Sequence, residues 1–587
     1  MHHFSNREYF PEYRFSYECR PLQSNYELLN FHRFPIVWKN LVVPLEPRCR
    51  ARKFGDNFDN LNHKGEVVDI SGGRAEVLVC HDLAGNYRDD RFIAGSRKWD
   101  DYRFYHWAGI DYFCYFSHQY ITVPTLSWIN AAHKNGVKVL GTIIVESSSG
   151  RARLDEILQS ESYMHSIVES LVFVAKSCQF EGWLLNVECP LSENQIPMLK
   201  GFVDYLTVRM HQDVPNGMVF WYDSIIETGD LRWQNELNDN NKSFFDLCDG
   251  ILINYAWTEK HLERTVNILN EQGGNIHKVF VGIDVFGRGQ LAKFDSHITL
   301  SKIKKYDFSV GIFAPGWTFE ATRGVNISEP TGNEICNSRF IERNDLFWQL
   351  LWKYLLTAGP TLLPFYTSFC LGSGKQQFRD GFVSYFRPWL NLSDQSWQPS
   401  VPSKSYSRFF NDSFNGGSCL SLLPTAEPTR LFAVDFACQN DIILAYSFKR
   451  SSQNDDVQLM LNLRSENSNY CQLFFGGEEN VYKYLAPGQI WCRSLKYMDL
   501  KKAIIHLSTK EERMLPSITP INGWEVRYYY FRCEQGISAK ITDIGILSQT
   551  TDDYDGILLG AIHIHEGVPL YRFADIQMVT NWDFVAD

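Results

Sequence analysis

An amide and a carboxylic acid close an otherwise apolar segment, residues 180–188, which reads FEGWLLNVE. The apolar residues predict a buried strand, and the alternation of side chains along a strand puts Asn186 and Glu188 on the same face. Burying two polar groups costs free energy unless they are hydrogen-bonded or used. A carboxyl group there could exchange a proton with a substrate, which the amide could orient. A loop-capping or salt-bridged role for this Asn-x-Glu pair is the alternative.

Polar and aromatic side chains also end several other predicted strands. The candidates are His81 and Asp82 in VCHD, Tyr222 in VFWYDS, Asn254 and Trp257 in LINYAW, Asp284, Phe286 and Arg288 in VGIDVFGRG, and Trp317 and Glu320 in FAPGWTFE. Each of them alone could be a satisfied core residue. Their joint placement on successive strands favours a sugar-binding cleft at one face of a barrel.

Short apolar runs alternate with longer periodic segments between residues 73 and 365, which is typical of repeated βα units. The predicted strands cover 75–81, 111–118, 137–146, 182–188, 217–224, 249–255, 278–286 and 309–317. The predicted helices cover 124–135, 154–178, 192–211, 259–272, 297–305 and 344–357. This pattern predicts an α/β fold, a (β/α)₈ (TIM) barrel whose working face is formed by the C-terminal strand ends. No Gly-x-Gly-x-x-Gly follows these strands, which argues against a nucleotide-binding open sheet.

Two further regions flank the predicted barrel. Residues 1–72 are rich in aromatic residues and proline, and we expect them to pack on the barrel as an irregular lead-in. Residues 366–587 consist of short alternating runs separated by Gly, Ser, Asn and Asp, which predicts a jelly-roll-like β-sandwich. Its predicted strands cover 419–423, 442–448, 457–463, 502–508, 524–532 and 538–547. The stretch from residue 556 onward is a candidate for a second sandwich.

The composition argues against several classes of function. A formal net charge of −11 leaves no basic stripe for nucleic acid. The N-terminus has no secretory signal, and the apolar stretch 346–365 is interrupted by polar residues, Gly and Pro, so we expect a cytoplasmic protein without a membrane span. The 14 cysteines form no Cys-x-x-Cys pair. Because no His-x-x-x-His stands beside a carboxylate, we expect no metal, and we expect His118 and His133 to be structural.

Several stretches, in order, resemble the endo-β-N-acetylglucosaminidases of glycoside hydrolase family eighty-five. The resemblance runs from His81 through Glu320 and less firmly into the predicted sandwich. The matching stretches are CHDLAGNY, FSHQYITVPTLSWINAAHKNGVKVLGT, GWLLNVE, WYDS, INYAW, VGIDVFGRG and FAPGW, followed by TSFCLGSG and the stretch that ends in NLSDQSWQPS.

The resemblance implies hydrolysis of the bond between the two N-acetylglucosamine (GlcNAc) residues of the N-glycan core. In this family the substrate's acetamido group attacks the anomeric carbon and forms an oxazoline. Glu188 would be the acid and base, Asn186 would orient the acetamido group, and Tyr222 would hold its oxygen. Trp233 and Trp257 would line the sugar subsites. The expected partners are N-glycans of glycoproteins or free oligosaccharides, bound by a monomer that needs no cofactor.

Two other functions stay open at this point. A chitinase-like retaining glycosidase would need a second acid on the same strand, but Leu184 and Asn186 stand where the acids would be. A catalytically inert, lectin-like barrel would only bind glycans. The presence of Asn186, Glu188 and Tyr222 together argues against that alternative.

Overall fold

Eight parallel strands, labelled β1 to β8, form the N-terminal half of the fold. Their bounds are β1 Val77–Asp82, β2 Tyr112–Phe116, β3 Lys138–Glu146, β4 Gly182–Glu188, β5 Met218–Tyr222, β6 Gly250–Ile253, β7 Val279–Asp284 and β8 Ser309–Phe313. Each strand pairs with the next along the chain, and β8 pairs with β1, so the sheet is a closed barrel. The predicted (β/α)₈ barrel is thereby confirmed.

The structure is a computed structural model that describes most of the chain. The described residues are 17–33, 36–68, 73–288, 295–321, 334–438, 441–465, 470–476, 482–484, 490–495, 522–533, 539–549 and 556–566. The strand predicted at 502–508 and parts of the predicted lead-in lie outside them.

Helices cover the outside of the barrel. Their bounds are Leu126–Lys134, Ser147–Ile157, Glu161–Cys178, Ile196–Asp213, Lys242–Asp246, Glu259–Gln272, Ser296–Ile303, Trp317–Glu320 and Glu334–Trp352. The single helix predicted at 154–178 is two helices, because Ser160 caps the start of the second one by accepting a hydrogen bond from the Tyr163 N–H. The short helix Lys242–Asp246 was not predicted. No helix in the described part of the chain is long and apolar enough to cross a membrane.

Alternation along the strands sorts their side chains between two cores. Leu78, Leu184, Phe220, Leu252 and Phe280 belong to a cluster inside the barrel. Side chains of the opposite parity pack with the surrounding helices in a separate and larger cluster. The residue parity of each strand therefore decides which side chains reach the mouth of the barrel.

An antiparallel β-sandwich follows the barrel, as predicted. One sheet contains Phe365–Thr367, Tyr406–Phe409, Cys419–Leu422, Ile442–Lys449, Ile490–Ser494, Trp524–Cys533 and Ile557–Glu566, and the other contains Thr429–Cys438, Asp456–Ser465, Tyr470–Phe475, Tyr482–Tyr484 and Ala539–Gln549. Strand Ile557–Glu566 pairs with Ile442–Lys449 in the first sheet, so it belongs to this sandwich and not to a second one. Two hairpins join barrel and sandwich: Leu371–Gly374 with Trp389–Gln395, and Gln377–Arg379 with Phe382–Tyr385.

The described part of the lead-in contacts both the barrel and the sandwich. It contains the helix Asn25–Leu29 and the short strands Arg52–Lys53 and Glu66–Val67. Leu22 bridges to Ile121 beside the barrel, whereas Asn60 bridges to Thr429 in the sandwich. The domain limits at 72/73 and 365/366 stay predictions.

Candidate active site

The C-terminal end of β4 places an amide and a carboxyl group at the mouth of the barrel. Asn186 and Glu188 share the inward parity of Leu184. The Nδ2 atom of Asn186 donates a hydrogen bond of 3.2 Å to Oε2 of Glu188. This contact leaves the buried Oδ1 atom of Asn186 with no hydrogen-bond partner among the described residues. An unpaired buried acceptor next to a carboxyl group is a place where a substrate donor can bind.

Trp233 covers the other oxygen of Glu188. This tryptophan lies in the loop after β5, and its indole N–H donates a hydrogen bond of 3.0 Å to Oε1 of Glu188. The residue is 45% exposed, so part of its aromatic surface is open to solvent next to the carboxyl group. An exposed aromatic ring can stack on the C–H face of a sugar.

A second carboxyl group lies beside Glu188. Glu146 ends β3, and the β3–β4 register sets it opposite Glu188. Glu146 also pairs with the Nδ1 atom of His118 at 3.7 Å. The sequence analysis missed Glu146 and treated His118 as structural, although residue 146 ended a predicted strand in the same way as Glu188.

The environment shifts the pKa values of the two carboxyl groups in opposite directions. Burial raises the pKa of Glu188, and the negative charge of Glu146 raises it further, against the effect of hydrogen bonds from Asn186 and Trp233. The ion pair with His118 lowers the pKa of Glu146 below its ordinary value. A protonated Glu188 beside an ionised Glu146 is the arrangement that a general acid requires.

The hydroxyl group of Tyr222 has a defined orientation. It donates a hydrogen bond of 2.8 Å to Oδ1 of Asn254, whose Nδ2 donates one of 2.8 Å to Oδ1 of Asn235. The same oxygen of Asn235 accepts a hydrogen bond from the backbone N–H of Ala256, which can only donate. This fixes both amide orientations, so Tyr222 must be the donor to Asn254.

The loop that carries Trp233 and Asn235 is held by a buried carboxylate at the end of β5. Asp223 accepts hydrogen bonds from the backbone N–H groups of Gln234 and Asn235, at 3.2 and 2.7 Å, and from the side chain of Asn241 at 3.1 Å. Burial raises the pKa of Asp223 to about 6. The sequence analysis did not single out Asp223, although it directly follows Tyr222.

Aromatic residues line the rim on the other side of the mouth. Asp284, at the end of β7, accepts hydrogen bonds from the backbone N–H groups of Phe286 and Arg288. The Arg288 guanidinium lies 4.6 Å from the centre of the Phe286 ring, and Phe286 lies 4.7 Å from the ring of Trp317. Glu320 is buried behind this rim, where it accepts a hydrogen bond from Tyr102.

Two residues predicted to bind substrate do not reach the cleft. His81 is 2% exposed and packs against aromatic rings between the barrel and its helices, because alternation turns Cys80 and Asp82 inward instead. Burial lowers the pKa of His81 to about 3. Trp257 is 3% exposed, and its N–H donates to the Gly282 carbonyl at 2.8 Å. Both positions are corrections to the sequence analysis, which placed His81 by its position at a strand end and Trp257 also by the family resemblance.

The described residues at this mouth include no cluster of metal-binding side chains. Within the described ranges, no group of three or more His, Cys, Asp or Glu side chains could hold a metal ion. His133, the other histidine expected to be structural, pairs with Glu181 at 3.2 Å and contacts the Val43 carbonyl.

A family described as glycosyl hydrolase family 85 matches residues 86–377, which include all of the strand ends described above except that of β1.

Curated relatives resemble a longer part of the chain. A protein named "Cytosolic endo-beta-N-acetylglucosaminidase" from Mus musculus is 37% identical over 423 residues, which are 69% of this chain and 55% of that protein. The protein of the same name from Gallus gallus is 41% identical over 362 residues, which are 60% of this chain and 48% of that protein. The chain therefore spans about half the length of the curated relatives it matches.

A solved structure shares the fold across both parts. The glycoside hydrolase domain of Endo-D from Streptococcus pneumoniae R6 superposes with a TM-score of 0.64 at 17% identity, covering 93% of this chain and 83% of that one. At this identity the likeness shows the fold alone.

Proposed function

Because this chain belongs to glycosyl hydrolase family 85 through residues 86–377, we propose that it is an endo-β-N-acetylglucosaminidase. The proposed reaction is hydrolysis of the GlcNAc-β-1,4-GlcNAc bond in the core of N-glycans, carried by glycoproteins or by free oligosaccharides. The names of the curated relatives support this activity and a cytosolic location.

The unpaired oxygen of Asn186 is the observation that carries the mechanism. A substrate-assisted glycosidase must hold the acetamido N–H of the sugar while the acetamido oxygen attacks the anomeric carbon. The Oδ1 atom of Asn186 is a buried acceptor without a partner among the described residues, and its Nδ2 atom is occupied by Glu188. We infer that Oδ1 accepts the acetamido N–H and stabilises the positive charge that develops on the nitrogen.

Glu188 would move the protons in both steps. In the first step the acetamido oxygen bonds to the anomeric carbon, the glycosidic C–O bond breaks, and Glu188 gives its proton to the departing oxygen. In the second step Glu188 takes a proton from water, or from an acceptor sugar, as that oxygen opens the oxazoline. The raised pKa of Glu188 supports the protonated starting state.

Tyr222 would hold the acetamido oxygen in line for attack. In the free protein its proton is donated to Asn254. The substrate oxygen would therefore compete with Asn254 for this proton, and rotation of the hydroxyl group about its C–O bond would exchange the two partners. Such an exchange needs no movement of the backbone.

The second carboxyl group does not favour ordinary two-carboxylate chemistry. In retaining glycosidases the two carboxyl groups stand about 5–5.5 Å apart, on opposite sides of the anomeric carbon. Glu146 and Glu188 lie side by side on neighbouring strands, so they face the same side of a sugar in the mouth and not opposite sides. The oxygen of the acetamido group therefore remains the better nucleophile.

The aromatic rim suits a branched glycan. Trp233 would cover the sugar next to Glu188. Across the mouth, Phe286, whose backbone N–H is held by Asp284, and its neighbour Trp317 would contact a further sugar. Asn254 would act through Tyr222 and not as a separate sugar ligand.

Mass spectrometry of a high-mannose glycopeptide tests this function. We expect a peptide that retains one GlcNAc and a released glycan that carries the other. Glu188→Gln should give no product under the same conditions. Release of the complete glycan, or binding without cleavage, would contradict the proposal, since the first is a different reaction and the second is the behaviour of a lectin.

A further inference from the structure

We propose that Glu146 is a positioning residue that, together with His118, keeps the proton of the carboxyl pair on Glu188. The inference rests on the proposed function in one respect, since it assigns that proton to the general acid of the reaction. It concerns residues that neither the family match nor the relatives' names assign.

The barrel itself brings the two carboxyl groups together. Parallel pairing of β3 and β4 sets residues 142 to 146 opposite residues 184 to 188, with Glu146 opposite Glu188. Both residues are partly exposed at the mouth of the barrel. Two ionised carboxylates at such neighbouring positions repel each other, which favours one proton held by the pair.

A charged donor decides which of the two is ionised. Glu188 accepts hydrogen bonds from the amide of Asn186 and the indole of Trp233, and both donors are neutral. Glu146 faces the ring of His118 at 3.7 Å, and this ion pair raises the pKa of His118. An opposite charge within about 4–6 Å favours the ionised form of a carboxyl group. The negative charge is therefore more stable on Glu146.

The backbone keeps His118 in this place. The backbone N–H of His118 donates a hydrogen bond of 3.0 Å to the Gly85 carbonyl. The His118 ring packs edge-on against the Phe116 ring, with 5.4 Å between the ring centres. Gly85 has a φ of +76°, and a Cβ atom there would lie 2.9 Å from the His118 ring. Only glycine suits both the backbone conformation and the close contact.

Other titratable groups face the pair but are already engaged. Asp82 on β1 accepts from the Gly85 N–H, Asp223 after β5 holds its loop, and Asp284 on β7 binds Arg288. Arg151, on the helix after β3, is occupied by Asp155, Gln195 and the Pro190 carbonyl. Tyr222 and Tyr255 are neutral, because burial raises the pKa of both phenols.

The variant Glu146→Gln has a defined effect on Glu188. It removes the negative charge that raises the pKa of Glu188, and it supplies an amide N–H that stabilises the ionised form of Glu188. Both changes lower the pKa of Glu188. We expect a fall of roughly one unit, the size at which two titrating sites count as coupled.

Carbon-13 NMR of protein labelled at the glutamate carboxyl carbons measures this directly and without substrate. The Glu188 signal is identified by its loss in Glu188→Gln. In Glu146→Gln its titration should move to lower pH. Glu161→Gln is the matched control, because Glu161 also pairs with a histidine, His165, but lies on an outer helix. That variant should leave the Glu188 titration unchanged.

The pH dependence of kcat/KM gives an independent readout. Its alkaline limb reports the acid of the free enzyme, so it should move to lower pH by the same amount in Glu146→Gln. His118→Gln should move the alkaline limb to higher pH and lower the plateau of kcat/KM, because Glu146 then competes with Glu188 for the proton. This second variant decides the question if Glu146→Gln does not fold.

One result overturns the inference: a Glu188 titration that is the same in folded Glu146→Gln as in the wild type. A titration that moves in a protein without glycosidase activity would instead sustain the inference and contradict the proposed function. The two failures are therefore distinguishable.

Discussion

Glu188 has three polar neighbours that shift its pKa in different directions. Glu146 favours the protonated form, whereas the N–H groups of Asn186 and Trp233 favour the ionised form. Burial adds to the effect of Glu146. A group that must first donate and then accept a proton benefits from such a balance, because neither form is strongly stabilised.

Glu188→Gln keeps the size of the side chain and removes its transferable proton. We expect hydrolysis to fall by about two to four orders of magnitude, the usual contribution of general acid–base catalysis. The rate of glycopeptide cleavage measures it. An unchanged thermal unfolding temperature would show that the loss is chemical, and near-normal hydrolysis would exclude Glu188 as the acid.

Asn186→Ala removes the acceptor that we assign to the acetamido N–H. We expect hydrolysis of the natural glycan to stop, since the attacking group is no longer held. A preformed sugar oxazoline needs no such attack, and Asn186→Asp is therefore expected to retain use of it. Cleavage assays on both substrates make the comparison, and normal hydrolysis by Asn186→Ala would contradict the assigned role.

Trp233→Phe should shift the pH profile in the direction opposite to Glu146→Gln. The indole N–H stabilises ionised Glu188, so its removal raises the pKa of Glu188, and the acid form then persists to higher pH. The alkaline limb of kcat/KM should move to higher pH, accompanied by a higher KM if the ring also contacts sugar. A limb that stays or moves to lower pH would contradict this assignment.

Sequence reasoning at the residue scale found Asn186, Glu188 and Tyr222 because each ends an apolar strand with a polar group. The same rule covered Glu146 but was not applied to it. His81 shows the limit of the rule, because a shift of one residue in parity sends a side chain from the mouth to the outer core. Asn235 could not have been found, since its role depends on contacts with Asn254 and Ala256 in the loop after β6.

At the scale of elements, the loop after β5 connects Asp223 to Tyr222 through Asn235 and Asn254. Asn235 has a φ of +58°, which glycine adopts freely, so Asn235→Gly keeps the backbone and removes the shared acceptor. We expect kcat to fall by up to about a hundredfold, the effect of a small misplacement in a site.

Asn216→Gly is the control for that loop variant. Asn216 also has a φ of +58° but lies in the turn before β5, at the opposite end of the barrel. Steady-state kinetics of both variants, with circular dichroism, separate positioning from folding. Equal activity of the two variants would mean that Asn235 does not orient the site.

The barrel strands were predicted well because each is an apolar run bounded by polar segments. Strand ends were less well predicted, as at 309–317, where the strand stops at Phe313 and Trp317 begins a helix. Apolar and aromatic residues continue across this turn, so composition gives no sign of it. The break between Ile157 and Glu161 was also missed, although Ser160 is a residue type that commonly caps a helix start.

At the scale of the whole molecule, a buried charge cluster joins the lead-in to the sandwich. Asp543 accepts hydrogen bonds from Arg430 at 2.8 Å and from Arg52 at 3.2 Å. Arg430 also donates to the Phe58 carbonyl at 2.6 Å, and its guanidinium lies 4.0 Å from the centre of the Phe54 ring. No local pattern predicts these contacts, because their partners are hundreds of residues apart in the sequence.

Asp543→Asn should lower the free energy of unfolding by about 3–5 kcal/mol, because it leaves two buried guanidinium groups without a counterion. Chemical denaturation measures the change. Asp435→Asn is the matched control, since Asp435 pairs with the largely exposed Lys540 on the neighbouring strand. This variant should lower the free energy of unfolding by no more than about 1 kcal/mol. Equal losses in the two variants would contradict the structural role of the cluster.

The central claim is that the acetamido group of the sugar is the attacking nucleophile, held by Asn186 while Glu188 protonates the leaving oxygen. The most direct measurement compares the cleavage rates of two glycopeptides that differ at one position only. The sugar whose anomeric carbon is attacked carries either its natural 2-acetamido group or a 2-hydroxyl group. We predict cleavage of the first and none of the second, and comparable rates for both would contradict the mechanism.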